Sequence, residues 1–237
     1  MRIFRVIQNN VRDRLPQFIL LLVTAASITV SGIILGTPLL RMLPLFVSLF
    51  VMLYQSEANR FAHLAGGVNA ILYAIVYFSL GLYASAGSSL LLSCPTSIIA
   101  FILWNKRAYK QSVKFRKMSP SLMIITLVLT VCLWIALYLA LDPLGSPFAT
   151  LDVTATVLEI LVTALTLLAF REYPYAAIVH VLIALLLKGQ LVLNDITNLP
   201  FLIYSCYNAV CRFRALFNVR RLYKEQSISS TQEMCNG

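Results

Sequence analysis

Eight apolar runs, at about residues 16–35, 39–55, 62–83, 86–104, 121–141, 152–170, 174–193 and 199–217, dominate the chain. Each is close to the roughly 20 residues a helix needs to cross a hydrocarbon core, the second being the weakest. Lipid offers no partner to a free backbone N–H or C=O, so such a chain is confined to helices or a closed barrel. The runs lack the two-residue alternation of barrel strands, which leaves helices. Composition agrees. Of 237 residues, 59% are hydrophobic and 12% charged, with mean hydropathy +0.83, whereas a soluble domain carries about 25% charged residues. The expectation is an all-α integral membrane protein with eight transmembrane helices. Tight turns are expected at Gly36-Thr37-Pro38, Ser85-Ala86-Gly87 and Asp142-Pro143-Leu144-Gly145.

The net charge of +10 would suit nucleic acid, but its distribution excludes that partner. With both termini cytoplasmic, 17 of the 19 Lys and Arg fall on the inner side, and only Arg41 and Lys188 fall outside. The acids Asp142, Asp152 and Asp195 then lie in or near the outer loops. This asymmetry sets the orientation and places the basic residues against anionic lipid headgroups of the cell membrane. The five cysteines lack metal-ligand spacing and read as buried, inert thiols.

Segments two to four match segments six to eight. Arg60 corresponds to Arg171 and Asn69 to His180, both 111 residues apart. Each block closes on a similar basic tail, Trp104-Asn105-Lys106-Arg107-Ala108-Tyr109-Lys110 and Phe217-Asn218-Val219-Arg220-Arg221-Leu222-Tyr223-Lys224. Segments two and six run in the same direction, so the repeats are parallel, with segment five between them and segment one outside. A parallel 3+1+3 core with one extra N-terminal helix is the layout of SWEET-type transporters. The organisation expected is 1–38 for the basic N-terminus and extra helix and 39–110 for the first repeat. Residues 111–150 form a basic cytoplasmic loop and linker helix, 151–224 the second repeat, and 225–237 a disordered cytoplasmic tail.

Polar groups at membrane depth are costly and usually face a bundle interior or a pathway. Asn69 offers donor and acceptor to a sugar hydroxyl or an amide. Asn208 sits mid-helix in segment eight with Tyr204 one turn before it on the same face. Both asparagines could equally serve interhelical hydrogen bonding. Glu159 could bind a cationic ring or couple a proton, or hydrogen-bond a neighbouring helix. His180 suits proton coupling, ligand bonding or a neutral core role. Gln190, Asn194 and Asn198 could line an entrance or form turns. Tyr73, Tyr77 and Tyr83 offer ring stacking or interface anchoring. Pro95 is expected to kink segment four. Lys188, the one cation that could meet a phosphate, is expected near the outer mouth of a site otherwise uncharged and polar. No Gly-rich nucleotide loop, His-Glu-x-x-His or Gly-x-Ser-x-Gly stretch is present, so neither an enzyme nor a cofactor is expected.

The ordered set of motifs resembles the PnuC family of vitamin transporters, best known for nicotinamide riboside. Gly66-Gly67-Val68-Asn69-Ala70-Ile71-Leu72-Tyr73-Ala74 with Gly81-Leu82-Tyr83, Pro95 with Ile98, Ile99 and Trp104-Asn105-Lys106, Arg116-Lys117-Met118-Ser119, Leu151-Asp152-Val153-Thr154-Ala155-Thr156-Val157-Leu158, and Tyr204 with Tyr207-Asn208-Ala209 carry the likeness, over about 45–224. The chain departs from the family where relatives have Trp-x-x-Trp-x-x-x-Asp: here Tyr173, Ala176 and His180 stand at those positions. The resemblance implies facilitated diffusion of a vitamin-like nucleoside and a homotrimer. It also implies a cytosolic kinase that traps the product. Substrate contacts are expected from Asn69, Tyr73, Glu159, Tyr173, His180, Tyr204 and Asn208. Thiamine, riboflavin or a deoxynucleoside are alternatives to nicotinamide riboside, because of the absent Trp. A non-transporting membrane scaffold, or an intramembrane enzyme built on Glu159 and His180, are the alternatives of another class.

Overall fold

The computed structural model describes residues 2–109, 112–141 and 148–235, with side chains from 16 to 228 within those ranges. The turn expected at Asp142–Gly145 lies outside the described residues. Nine helices account for nearly all of the described chain: α1 Arg2–Ile34, α2 Leu39–Ser56, α3 Phe61–Ser79, α4 Tyr83–Ser88, α5 Cys94–Lys106, α6 Pro120–Leu141, α7 Ala149–Leu167, α8 Tyr173–Asn194 and α9 Leu199–Cys235. A π-helical turn, Ser89–Ser93, joins α4 to α5 into one span. Pro95 follows that turn and supplies no N–H, so the ladder widens where the sequence leads one to expect a kink.

Seven helices are long and apolar enough to cross a membrane, among the described residues: Pro16–Ile34, Leu39–Ser56, Phe61–Ser79, Tyr83–Lys106, Pro120–Leu141, Ala149–Leu167 and Tyr173–Asn194. The eighth long helix, α9, is less apolar because Asn208, Arg212 and Arg214 lie within it. It packs nonetheless against α1, α2 and α8. It also continues to Cys235, so residues 225–235, expected to be a disordered tail, extend the helix. The turn expected at Ser85-Ala86-Gly87 is likewise corrected. Those residues are helical, and the chain turns at Leu80–Leu82 instead, where Gly81 adopts φ +70°.

The repeat is visible in the backbone. Ala58 (φ 52°) and Ala169 (φ 57°), 111 residues apart, are the non-glycine residues in the left-handed region among those described. Ala58 N donates to Gln55 O at 2.9 Å and Asn59 N to Tyr54 O at 3.0 Å. Ala169 N donates to Thr166 O at 3.0 Å and Phe170 N to Leu165 O at 2.9 Å, the same bonds one repeat later. Each closing tail then binds the opposite repeat. Trp104 Nε1 donates to the Thr166 carbonyl at 2.9 Å, and Asn218 Nδ2 donates to the Ser56 carbonyl at 2.7 Å. Even the flanking helices match. Helix α1 packs on α2 and α9, whereas α6 packs on α7 and α4, so each lies beside the first helix of one repeat and the closing helix of the other.

The described part of the expected basic loop includes two short strands. Ala108–Tyr109 and Ser112–Val113 pair as a short antiparallel hairpin, β1 and β2. Beyond it Arg116 exchanges backbone bonds with Ala169 and Arg171, each at 2.9 Å. Gln226 on α9 holds the segment with both ends of its amide, at Val113 O (2.9 Å) and Phe115 N (3.0 Å). Trp104, Val113, Phe115, Ala169, Tyr173 and Val219 form the apolar plug at this basic end. At the opposite end Thr37 bonds the Thr197 carbonyl at 2.7 Å. There Asp195 caps the short 3₁₀ turn Ile196–Asn198, and the bonds from the Thr197 hydroxyl and N–H hold its carboxyl below the usual range. Helix α6 has no buried residue and mean hydropathy 2.6, the signature of a face turned to lipid.

Candidate functional site

Between the repeats lies a cavity of about 220 Å³. All seven residues expected to touch substrate line it: Asn69 and Tyr73 from α3, Glu159 from α7, Tyr173 and His180 from α8, and Tyr204 and Asn208 from α9. Gln190 and Asn194 are exposed, whereas Asn198 is buried as a turn former, its Nδ2 donating to Asp195 O at 3.2 Å. None of these three lines the cavity.

On the first repeat, Asn69 Nδ2 donates to Ser48 Oγ at 2.6 Å, and Ser48 donates to the Tyr73 hydroxyl oxygen at 2.9 Å. Tyr73 stacks on Tyr77 with ring centroids 5.1 Å apart. This leaves Asn69 Oδ1 buried and unpartnered. On the second repeat, His180 Nδ1 is also buried and unpartnered. Glu159 accepts a bond from Ser93 Oγ at 3.1 Å, beside the π-helical turn. Asn208 Oδ1 accepts from Arg212 Nε at 3.2 Å, one turn away on α9.

Charge at the site departs from expectation. Lys188 is not at an open mouth: it is only 7% exposed and lines the cavity, with Nζ 4.4 Å from the Tyr77 ring centre. Arg212, expected among the cytoplasmic basic residues, lines the cavity too. The site is therefore polar and charged rather than uncharged. Sequence reasoning also passed over His63, buried and edge-on to Trp104 at 4.5 Å, and the hydroxyls of Ser48, Ser89, Ser93 and Ser97. His63, Gly66, Asn69, Tyr73 and Tyr77 fall at intervals of three and four, a helical stripe that would have included His63.

Parallel three-helix repeats, a span broken at its midpoint and a central cavity lined from both repeats define a membrane transporter. The family model described as nicotinamide mononucleotide transporter matches residues 38–214. The chain belongs to that family; it is a multi-pass membrane transporter and not an enzyme or a scaffold. Its fold is that of the structure titled "Crystal structure of the Vitamin B3 transporter PnuC", with TM-score 0.76 and 20% identity, covering 88% of this chain and 92% of that one. Among curated proteins, none matches.

Proposed function

We propose that the chain is a passive carrier for a vitamin-like nucleoside, with nicotinamide riboside as leading substrate, working by facilitated diffusion and alternating access between its two parallel repeats. The observation that carries this reading is the pair Asn69 and His180. They occupy equivalent positions, both line one shared cavity, and each has a buried polar atom without a partner. A buried polar atom without a partner costs about 1–3 kcal/mol, so a ligand that bonds both offsets that cost. In this reading Asn69, His180 and Asn208 bond the sugar and an amide, Tyr73, Tyr173 and Tyr204 pack on the ring, and Glu159 faces a cationic ring.

Residues 39–110 and 151–224 act as the two moving units, joined by 111–150. Both termini lie on the cytoplasmic side of the cell membrane, as the basic residues favour. A homotrimer and a cytosolic kinase that traps the product complete the proposal. Thiamine, riboflavin or a deoxynucleoside remain rival substrates because Ala176 stands where relatives have Trp. Uptake of labelled nicotinamide riboside and thiamine into proteoliposomes tests the reading. Saturable flux of the riboside supports it, and flux of neither from a competent reconstitution sinks it.

A further inference from the structure

Lys188 is left unexplained by a neutral sugar and amide. It lies on α8 two turns beyond His180, is 7% exposed and lines the cavity. Its Nζ is 4.4 Å from the Tyr77 ring centre and 5.8 Å from that of Phe201. No ion pair includes it among the described residues. Two carboxylates on the facing helix α7 act on it electrostatically without forming an ion pair with it; Asp152 accepts from Ser85 Oγ and Ala84 N, and Glu159 accepts from Ser93 Oγ. An ammonium carries three donors and no acceptor. The aromatic faces answer part of its charge but accept no ordinary hydrogen bond. An ionisable group so placed in a membrane protein marks a ligand or a pathway. Nor does the repeat demand it, because the equivalent residue 111 positions earlier is Tyr77 itself.

We infer that Lys188 is a specificity-determining residue, an anion-recognition point that extends the carrier's substrate class to planar heterocyclic nucleosides bearing a carboxylate on the ring. The inference rests on the proposed function and deepens it. A cationic heterocycle that enters this cavity brings like charge toward Lys188, which is repulsive at low dielectric. A carboxylate on the same ring removes that repulsion and accepts the ammonium's N–H groups in charge-assisted bonds. Glu159 meanwhile supplies the opposite charge for the ring itself. Nζ lies over the Tyr77 ring, on which Tyr73 stacks, so a ring substituent that reaches the ammonium does so beside this tyrosine pair. Arg212, the other cation lining the cavity, already donates to Asn208 and serves as the comparison.

The test uses the full chain in proteoliposomes, as wild type, Lys188→Met and Arg212→Gln. Three labelled probes are compared: nicotinamide riboside, the same compound with its amide replaced by carboxylate, and its 5′-monophosphate. Wild type is expected to carry the carboxylate probe. In Lys188→Met the ratio of that probe's uptake to riboside uptake is expected to fall by about tenfold, the worth of one charge-assisted bond. The ratio is unaffected by any loss of folded protein, since that lowers every flux alike. The monophosphate is the control for charge away from the ring, and a fall in its ratio without a fall in that of the carboxylate overturns the inference. If wild type carries the riboside but not the carboxylate probe, the inference fails and the proposed function stands. An unchanged ratio in Lys188→Met, or a fall confined to Arg212→Gln, also overturns it. Uptake of none of the three overturns the proposed function and this inference together.

Discussion

The two repeats share a backbone plan but present different chemistry to the cavity. The first offers Ser48, Asn69, Tyr73 and Tyr77, all neutral, two of them aromatic. The second, at the positions 111 residues on, offers Glu159, His180, Ala184 and Lys188, three of them ionisable. Backbone equivalence is what two units need if they are to rock against each other around a fixed site. Side-chain inequivalence is what a site needs to hold an asymmetric ligand in one orientation. On the proposed function, discrimination resides mainly in the second repeat, and the first supplies a flat, hydroxyl-bearing surface.

The largest effects are expected where the two halves meet the ligand together. Asn69→Leu, His180→Leu and Asn208→Leu should each abolish riboside uptake in proteoliposomes with expression normal. Unchanged flux in any of them removes that residue from the site. The exchange Asn69→His with His180→Asn tests the comparison directly. If the halves are interchangeable in chemistry as well as backbone, the double variant retains more uptake than either single change. If the inequivalence orients the ligand, it retains no more, and the latter is expected.

A smaller effect is expected at the crossed tails. Trp104→Phe removes the bond to Thr166 O, and Asn218→Ala removes the bond to Ser56 O. Each loses one hydrogen bond, for about 1 kcal/mol, although the Thr166 carbonyl keeps the bond from Ala169 N. Trp104→Phe additionally leaves a void, since Trp104 is 2% exposed within the apolar plug at the basic end. Thermal unfolding in detergent should therefore show both variants destabilised, Trp104→Phe more. Equal loss would mean that the void in the plug adds no cost and that the two tails contribute alike.

Much of this was legible before any coordinates, because helix number in a membrane follows from apolar run length. The offset of 111 linking Arg60 to Arg171 also reappears in the left-handed turns at Ala58 and Ala169. Helix ends were less legible. Gly81 and Gly87 are equally good turn formers in isolation, and only tertiary bonding, Asp152 to Ser85 Oγ and Ala84 N, shows that the second lies within a helix. The site was legible as far as polar residues stood out against apolar neighbours, which singled out Asn69, Glu159, His180 and Asn208. Arg212 was hidden because a basic residue near a helix end reads as a topology signal. Its spacing of four from Asn208 was the clue that both share one face. Lys188 was misplaced for the same reason: charge near a helix end suggests a mouth, whereas Tyr77 and Phe201 enclose it.

The smallest effect sharpens the comparison most, because it isolates the shared backbone. An alanine in the left-handed region costs about 1–2 kcal/mol relative to an unstrained conformation. Replacing it with glycine relieves that strain. Against this stand glycine's extra unfolded-state entropy, about 0.5–1 kcal/mol, and the loss of a buried methyl, about 0.8 kcal/mol. The net for Ala58→Gly and Ala169→Gly is expected to be near zero and the same at both turns. The turns differ in one respect: the backbone of Ala169 and Arg171 is tied to Arg116, whereas Asn59 Oδ1 closes the first turn by accepting from Phe61 N at 3.0 Å. Matched melting temperatures for the two variants would show that the turns are equivalent units despite those tethers. A clear drop for Ala169→Gly alone would show that the bridge to Arg116 depends on a rigid residue there, and the second repeat would then be the more firmly anchored half.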